Sequence, residues 1–198
     1  HTRYWRDWSS DVCSSDRQYL GVIVWFGLGN SSDAFLLVRS QDLGFSGSHL
    51  LLLYAAFNLM SVLLGLTIGR LSDRVGRKPL LMMGYGLFAL VYVGFAIATS
   101  AVFIWILFIF YGLYTALTRG VQKALVADLV HAERRGAAIG TFHMLVGLAA
   151  LPASLLAGFL YTQVSGGAPF YFSSVMAALA AIALWQLPFP QALKNQSQ

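Results

Sequence analysis

The chain has 198 residues, 58% of them apolar and 11% charged, with a formal net charge of +5 and a mean hydropathy of +0.67. Soluble domains carry about a quarter charged residues, so this composition argues against a water-soluble fold and for an integral membrane protein. The single cysteine, Cys13, allows no internal disulfide and says nothing about redox compartment.

In chain order, the first 16 residues stand apart. Asp7 to Asp16 reads DWSSDVCSSD, without a hydrophobic period and with the only cysteine. The string resembles one reading frame of a short-read sequencing adapter, so residues 1–16 are expected to be a non-native leader standing in place of lost upstream sequence. A signal peptide would need an apolar centre, which this stretch lacks; a genuine polar linker is the other alternative. Residues 17–190 are expected to form a six-helix transmembrane bundle and 191–198 a cytoplasmic tail.

A spanning helix needs about 20 mostly apolar residues. Six stretches qualify: Tyr19–Val38, Gly47–Ile68, Leu80–Thr99, Val102–Thr118, Ala137–Tyr161 and Phe170–Leu187. All are read as helices, since lipid leaves the open edge of a sheet unsatisfied. Pro79 and Pro169 suit helix starts, Pro188 and Pro190 stop the last span, and Pro152 is expected to bend the fifth. Gly65-x-x-x-Gly69 and Gly136-x-x-x-Gly140 are expected to serve close helix packing within the chain.

The connections set orientation. Arg70, Arg74, Arg77 and Lys78 lie between spans two and three, Arg119, Lys123, Arg134 and Arg135 between spans four and five, and Lys194 in the tail; the other side has Arg39 alone. The positive-inside rule places both ends and the 70–79 and 119–136 loops in the cytoplasm. Basic residues spread over short loops with few aromatics do not make a nucleic-acid surface.

Between spans two and three runs Gly69-Arg70-Leu71-Ser72-Asp73-Arg74-Val75-Gly76-Arg77-Lys78-Pro79. It reads as a tight turn in which Gly69 ends a helix and Gly76 takes a positive φ, with Asp73 among Arg74, Arg77 and Lys78. Its spacing resembles the loop signature of the major facilitator superfamily. Asp128-Leu129-Val130-His131-Ala132-Glu133-Arg134-Arg135-Gly136 resembles that family's loop before the eleventh helix, with His131 where a proline is usual. Asn30–Phe35 and Tyr111–Tyr114 resemble the seventh and tenth helices of bacterial members.

The resemblance covers about Leu20 to Leu187. It implies an all-α membrane protein whose six helices form one half, helices 7–12, of a twelve-helix fold in the bacterial inner membrane. It also implies a secondary transporter working by alternating access on a small-molecule solute, coupled to H+ or another ion, and inactive without the missing N-terminal half. No cofactor is expected. The gate loop implied by the family comprises Gly69, Asp73, Arg74, Gly76, Arg77, Arg119, Asp128, Glu133 and Arg135, with Asp73 reaching toward the absent half. Arg119 stands where similar bacterial members commonly have an acidic residue, a departure that puts its part of the network in doubt.

Spans one and four would line the cavity. Span one carries Asn30 and Asp33 in a run of small polar residues that loosens a helix; Asp33 is either a protonatable cavity group or a local helix cap. Asn58 lies on a stripe with Tyr54, Ser61 and Gly65, facing either the cavity or a neighbouring helix. Tyr111, Tyr114, Thr115 and Thr118 form an aromatic wall or ordinary packing. His143, beside Gly140 and Gly147, either couples a proton or is buried and neutral. Two further readings stand beside the transporter: a complete six-helix protein acting as a homodimer, and an intramembrane enzyme. The enzyme lacks support, for the chain has no H-E-x-x-H, no G-x-S-x-G and no metal-ligand set.

Overall fold

A computed structural model describes residues 14–30, 33–128 and 135–187; residues 1–13, most of the expected leader, and His131, Glu133, Pro188 and Pro190 lie outside them. The described residues form seven helices and no strand: α1 (Ser14–Gly29), α2 (Ala34–Asp42), α3 (Gly47–Val75), α4 (Arg77–Ile97), α5 (Ala101–Asp128), α6 (Arg135–Gln163) and α7 (Ala168–Gln186). With α1 and α2 counted as one interrupted span over Gly21–Asp42, six helices are long and apolar enough to cross a membrane.

The interruption falls at the run of small polar residues within the first span. The α1 ladder ends with the Asn30 amide on the carbonyls of Phe26 and Gly27, and α2 restarts after Asp33. Elsewhere the helices outrun the expected spans. The expected 70–79 loop is mostly helix: Gly69 lies inside α3 rather than ending it. Gly76 alone, at φ +100°, separates α3 from α4. A side chain at that φ is strained, so glycine is required. Likewise α5 continues ten residues past Thr118, to Asp128. At about 1.5 Å per residue α5 is about 42 Å long, more than the hydrocarbon core is thick. Helix α6 runs unbroken through Pro152.

Bonds at the two ends show how the spans are stacked. At one end Arg39 donates to the carbonyls of Phe95 and Ala98, each at 3.4 Å, and Tyr161 donates to Asp42. At the other, Lys78 donates to the carbonyls of Trp185 and Leu187, and Arg135 to that of Ala127. Each of these three cations meets the C-terminal turn of another helix, where unpaired carbonyls and the helix dipole favour positive charge. Arg39, the exception to the charge asymmetry, is thus explained by a local structural task.

Within the bundle α5 packs on α3 and α4, α4 also on α7, and α1 on α6 and α7. Lipid gives apolar side chains no reason to turn inward, so close backbone approach and shape decide the packing. A Cβ on Gly112 would lie 2.7 Å from the Phe57 carbonyl oxygen, on Gly84 2.4 Å from Thr118, and on Gly29 2.5 Å from the Met176 Cβ. Rings fill the space between: Phe26 stacks on Tyr85 at 4.0 Å, Phe88 on Tyr92 at 3.8 Å, and Phe57 meets Tyr111 edge-on at 5.3 Å. The glycines expected to serve close packing within the chain do not do so among the described residues. Gly65, Gly69, Gly136 and Gly140 have nothing within 4 Å of an added Cβ.

Candidate functional site

The break in the first span, the middle of α5 and the outer faces of α3 and α6 together form the candidate site. Asp33 occupies the cap position of α2 but makes no side-chain capping bond. The capping alternative is therefore replaced by a contact across the bundle. The Tyr111 hydroxyl donates to Asp33 Oδ1 at 2.5 Å, and Arg119 Nη2 donates to Oδ2 at 2.8 Å. Each carboxylate oxygen has one partner, and the ion pair balances the charge. An unpaired carboxylate or guanidinium at mid-span costs about 2.5–3.5 kcal/mol on insertion scales, and this pairing offsets part of that. The Asp33 side chain keeps 30% of its exposure and that of Arg119 54%.

Tyr111 and Tyr114 answer the packing question in two parts. Their rings are buried, Tyr111 at 0% and Tyr114 at 3% exposure, so they are core and not an open aromatic wall. Their hydroxyls nevertheless reach the break: Tyr111 meets Asp33, and Asn30 Nδ2 donates to Tyr114 at 3.4 Å. The Asn30 Oδ1 is buried and accepts no hydrogen bond among the described residues.

Two open cavities flank this centre. One, of about 630 Å³, is lined by Asn30, Asp33, Ala34 and Leu37 with Tyr54 of α3 and Ala150, Leu151 and Ser154 of α6. The other, of about 230 Å³, runs between α3 and α5 from Arg119 to Arg77, past Ser61, Gly65, Gly69, Ser72, Thr115 and Gly120. The stripe on α3 is thus divided. Tyr54 faces the first cavity, and Ser61 and Gly65 face the second. Asn58 turns back to donate to the Tyr54 carbonyl of its own helix at 2.8 Å. Thr115 is buried and donates to the Gly112 carbonyl. His143 is exposed, not buried as one alternative had it. It stands seven residues before Ala150 on the α6 stripe that lines the first cavity.

The signature residues assemble around Arg77. Arg77 pairs with Asp73 at 2.7 Å and with Asp128 at 3.0 Å, and donates to Ser72 at 2.8 Å, joining α3, α4 and α5. Asp128 is 19% exposed and Asp73 65%, so the first is held within the bundle and the second at its surface. Arg74 is exposed, and Arg135 binds a backbone carbonyl instead of joining the loop charges. Arg119 does not join them either; it belongs to the site around Asp33. Its assignment to a loop followed from ending span four at Thr118. A usable signal was present in the i, i+4, i+8 spacing of Tyr111, Thr115 and Arg119, which puts all three on one helical face.

Comparison with known proteins adds the following. A family model described as Major Facilitator Superfamily matches residues 20–198. The chain is 36% identical over 165 residues to an uncharacterized MFS-type transporter of Methanocaldococcus jannaschii, covering 80% of this chain and 41% of that protein. It is 27% identical over 147 residues to the quinolone resistance protein NorA of Staphylococcus aureus, covering 74% of this chain and 38% of that protein. The chain thus spans about two fifths of the length of these curated relatives.

Proposed function

The chain belongs to the major facilitator superfamily, and on that premise we propose that it is the C-terminal six-helix half of a secondary active transporter in a bacterial cytoplasmic membrane. It is an integral membrane protein of a family that moves small solutes across membranes. In the proposed mechanism this bundle rocks as a unit against an N-terminal half, and the solute site lies between the two near mid-membrane. The movement is coupled to protons or another ion.

One observation carries the reading: a charged pair, Asp33 with Arg119, sits inside the spans at a helix break and borders open cavities. Ionisable groups at that depth characteristically mark solute or ion pathways, and broken helices are tolerated in membranes where they line a cavity. Asn30, Asp33, Tyr111 and Tyr114 form its core, with Asn58, Thr115 and His143 on adjoining surfaces. The Arg77 cluster acts as the gate, with Asp73, exposed though paired with Arg77, at its surface to engage the other half.

The proposal is tested by flux. Alternating access needs two halves, so the purified chain in liposomes is expected to show no saturable uptake; saturable uptake by the chain alone would refute the half-transporter reading. Both ends of the bundle are proposed to lie in the cytoplasm, on the side the positive-inside rule favours. An impermeant amine reagent is expected to label Lys78 and Lys194 from the same side of the membrane, and labelling from opposite sides would overturn that orientation.

A homodimer is the second reading, favoured by the open directions above Gly65, Gly69, Gly136 and Gly140. Two parallel copies would cover the same faces as a second half. Cysteine crosslinking between copies at Gly69 in native membranes separates the two, since only the homodimer gives a saturating disulfide at low expression. No catalytic role is proposed.

A further inference from the structure

Arg119 stands at the boundary of both cavities. Its guanidinium holds Asp33, which lines the larger one, while its own side chain lines the groove between α3 and α5. Its guanidinium reaches Asp33 through Nη2, and the side chain is 54% exposed. On the groove side its neighbours are small: Ser61, Gly65 and Gly120. Nothing lies within 4 Å of a Cβ built on either glycine. The guanidinium therefore has somewhere to go, and one negative charge holds it where it is.

From this geometry we propose that Arg119 is a resident counter-ion that the cargo displaces. When Asp33 loses its charge to a proton, or gives it to an organic cation entering the larger cavity, Arg119 leaves Asp33 and swings into the α3–α5 groove. The exchange keeps the site electrically balanced: one positive charge replaces another at a carboxylate that is already committed on both oxygens. An anion entering the larger cavity would meet Asp33, which lines it, and not Arg119, which lines the groove. The displaced guanidinium enters the groove that ends at Arg77, so occupancy of the site changes the charge beside the Arg77–Asp128 pair. This inference rests on the reading of the Asp33 cavity as a transport site, and it names the charge class of the cargo.

The test reads the groove and not the flux. In a Cys13→Ser background, Gly65→Cys places a thiol in the groove, and its reaction rates with a cationic and an anionic methanethiosulfonate reagent report the local charge. Asp33→Asn imitates the protonated carboxyl. It is expected to raise the anionic-to-cationic rate ratio about tenfold, as one unit charge brought near the thiol should. Part of any rise comes from Asp33 itself, so the same comparison is made in Arg119→Gln. The proposal requires the rise to be much smaller there. Equal rises in the two backgrounds would overturn it, as would no rise at all.

A second arm needs no Asp33 variant. Tetraphenylphosphonium, a cation that carries no proton, is expected to raise the ratio saturably in the chain with native Asp33 and Arg119, and to have no further effect in Asp33→Asn. Absence of that response would overturn the assignment of a cationic cargo. Because both arms use the isolated chain and a chemical rate, they hold or fail independently of whether the chain needs a second half to transport.

Discussion

Helices α4 and α5 differ sharply from α3 and α6. About half of each apolar span is buried in the first pair, 50% and 56%, against 17% in each of the second. The side chains alone do not explain this. Leu66 of α3 is 78% exposed and Leu155 of α6 76%, although both are as apolar as the buried Phe88 and Leu107. In lipid an exposed leucine costs little, so burial follows shape and not hydrophobicity. The inner helices have glycines that meet a neighbour and rings that fill the gaps. The outer ones have glycines that, Gly158 against Phe35 apart, meet nothing. A small residue in a membrane helix therefore has two distinct uses, and the sequence motif does not tell them apart.

The sharpest way to break this contrast is to add one methyl group on the packed side. Gly112→Ala brings its Cβ to 2.7 Å from the Phe57 carbonyl oxygen and the Met60 Cβ. Both belong to the body of α3, so that helix must shift. The expected loss is about 3 kcal/mol, the upper end of the overpacking range, measured by reversible unfolding in mixed detergent. Gly94→Ala meets only the end of the flexible Leu107 side chain and should cost well under half as much. Equal losses would mean that backbone approach is not what holds α3 to α5.

Next in size is the charge cluster at the other level of the comparison. Arg77 binds groups from two other helices, and its removal leaves Asp128, 19% exposed, without that partner. Arg77→Ala is expected to cost about 2 kcal/mol, below the value for a fully buried pair because water still reaches the site. Asp73 is 65% exposed. Asp73→Asn should cost about 0.5 kcal/mol at most, measured in the same way. If the chain is one half of a transporter, as proposed, the ranking should invert in the joined protein, with Asp73→Asn lowering flux more than its effect on stability accounts for.

Six spans and their approximate limits were legible because about 20 apolar residues in succession have few other uses. The positive φ at Gly76 was legible as well, as a glycine in a tight turn, although Gly69, expected to end the preceding helix, lies inside it. The ends were not. Span four seemed to stop at Thr118 because Arg119 is charged, yet a long polar side chain can remain inside a span when a carboxylate on another helix awaits it. That partner, Asp33, lies 86 residues away, and no local pattern connects the two. The buried state of Tyr111 and Tyr114 was equally hidden, for a tyrosine on an apolar helix reads the same whether its ring faces a cavity or its hydroxyl alone does. Exposure of His143 depends on what α6 leaves uncovered, which is a property of the whole bundle.

The smallest expected effect is the most informative about the open faces. Gly65 lies in the middle of α3 with nothing within 4 Å of an added Cβ. Alanine is the better helix former by about 1 kcal/mol in soluble hosts, so Gly65→Ala should leave the isolated chain unchanged or slightly more stable. If α3 packs against a second bundle through this face, the same methyl group intrudes on that contact. Stability of the isolated chain and association with the other half then move in opposite directions, a combination that ordinary core packing cannot produce. Association is read by co-purification of Gly65→Ala, beside unmodified chain, with a separately tagged N-terminal half. Unchanged association together with unchanged stability would show that no second bundle packs on this stretch of α3, and would move the proposed contact to the Gly136–Gly140 side of α6.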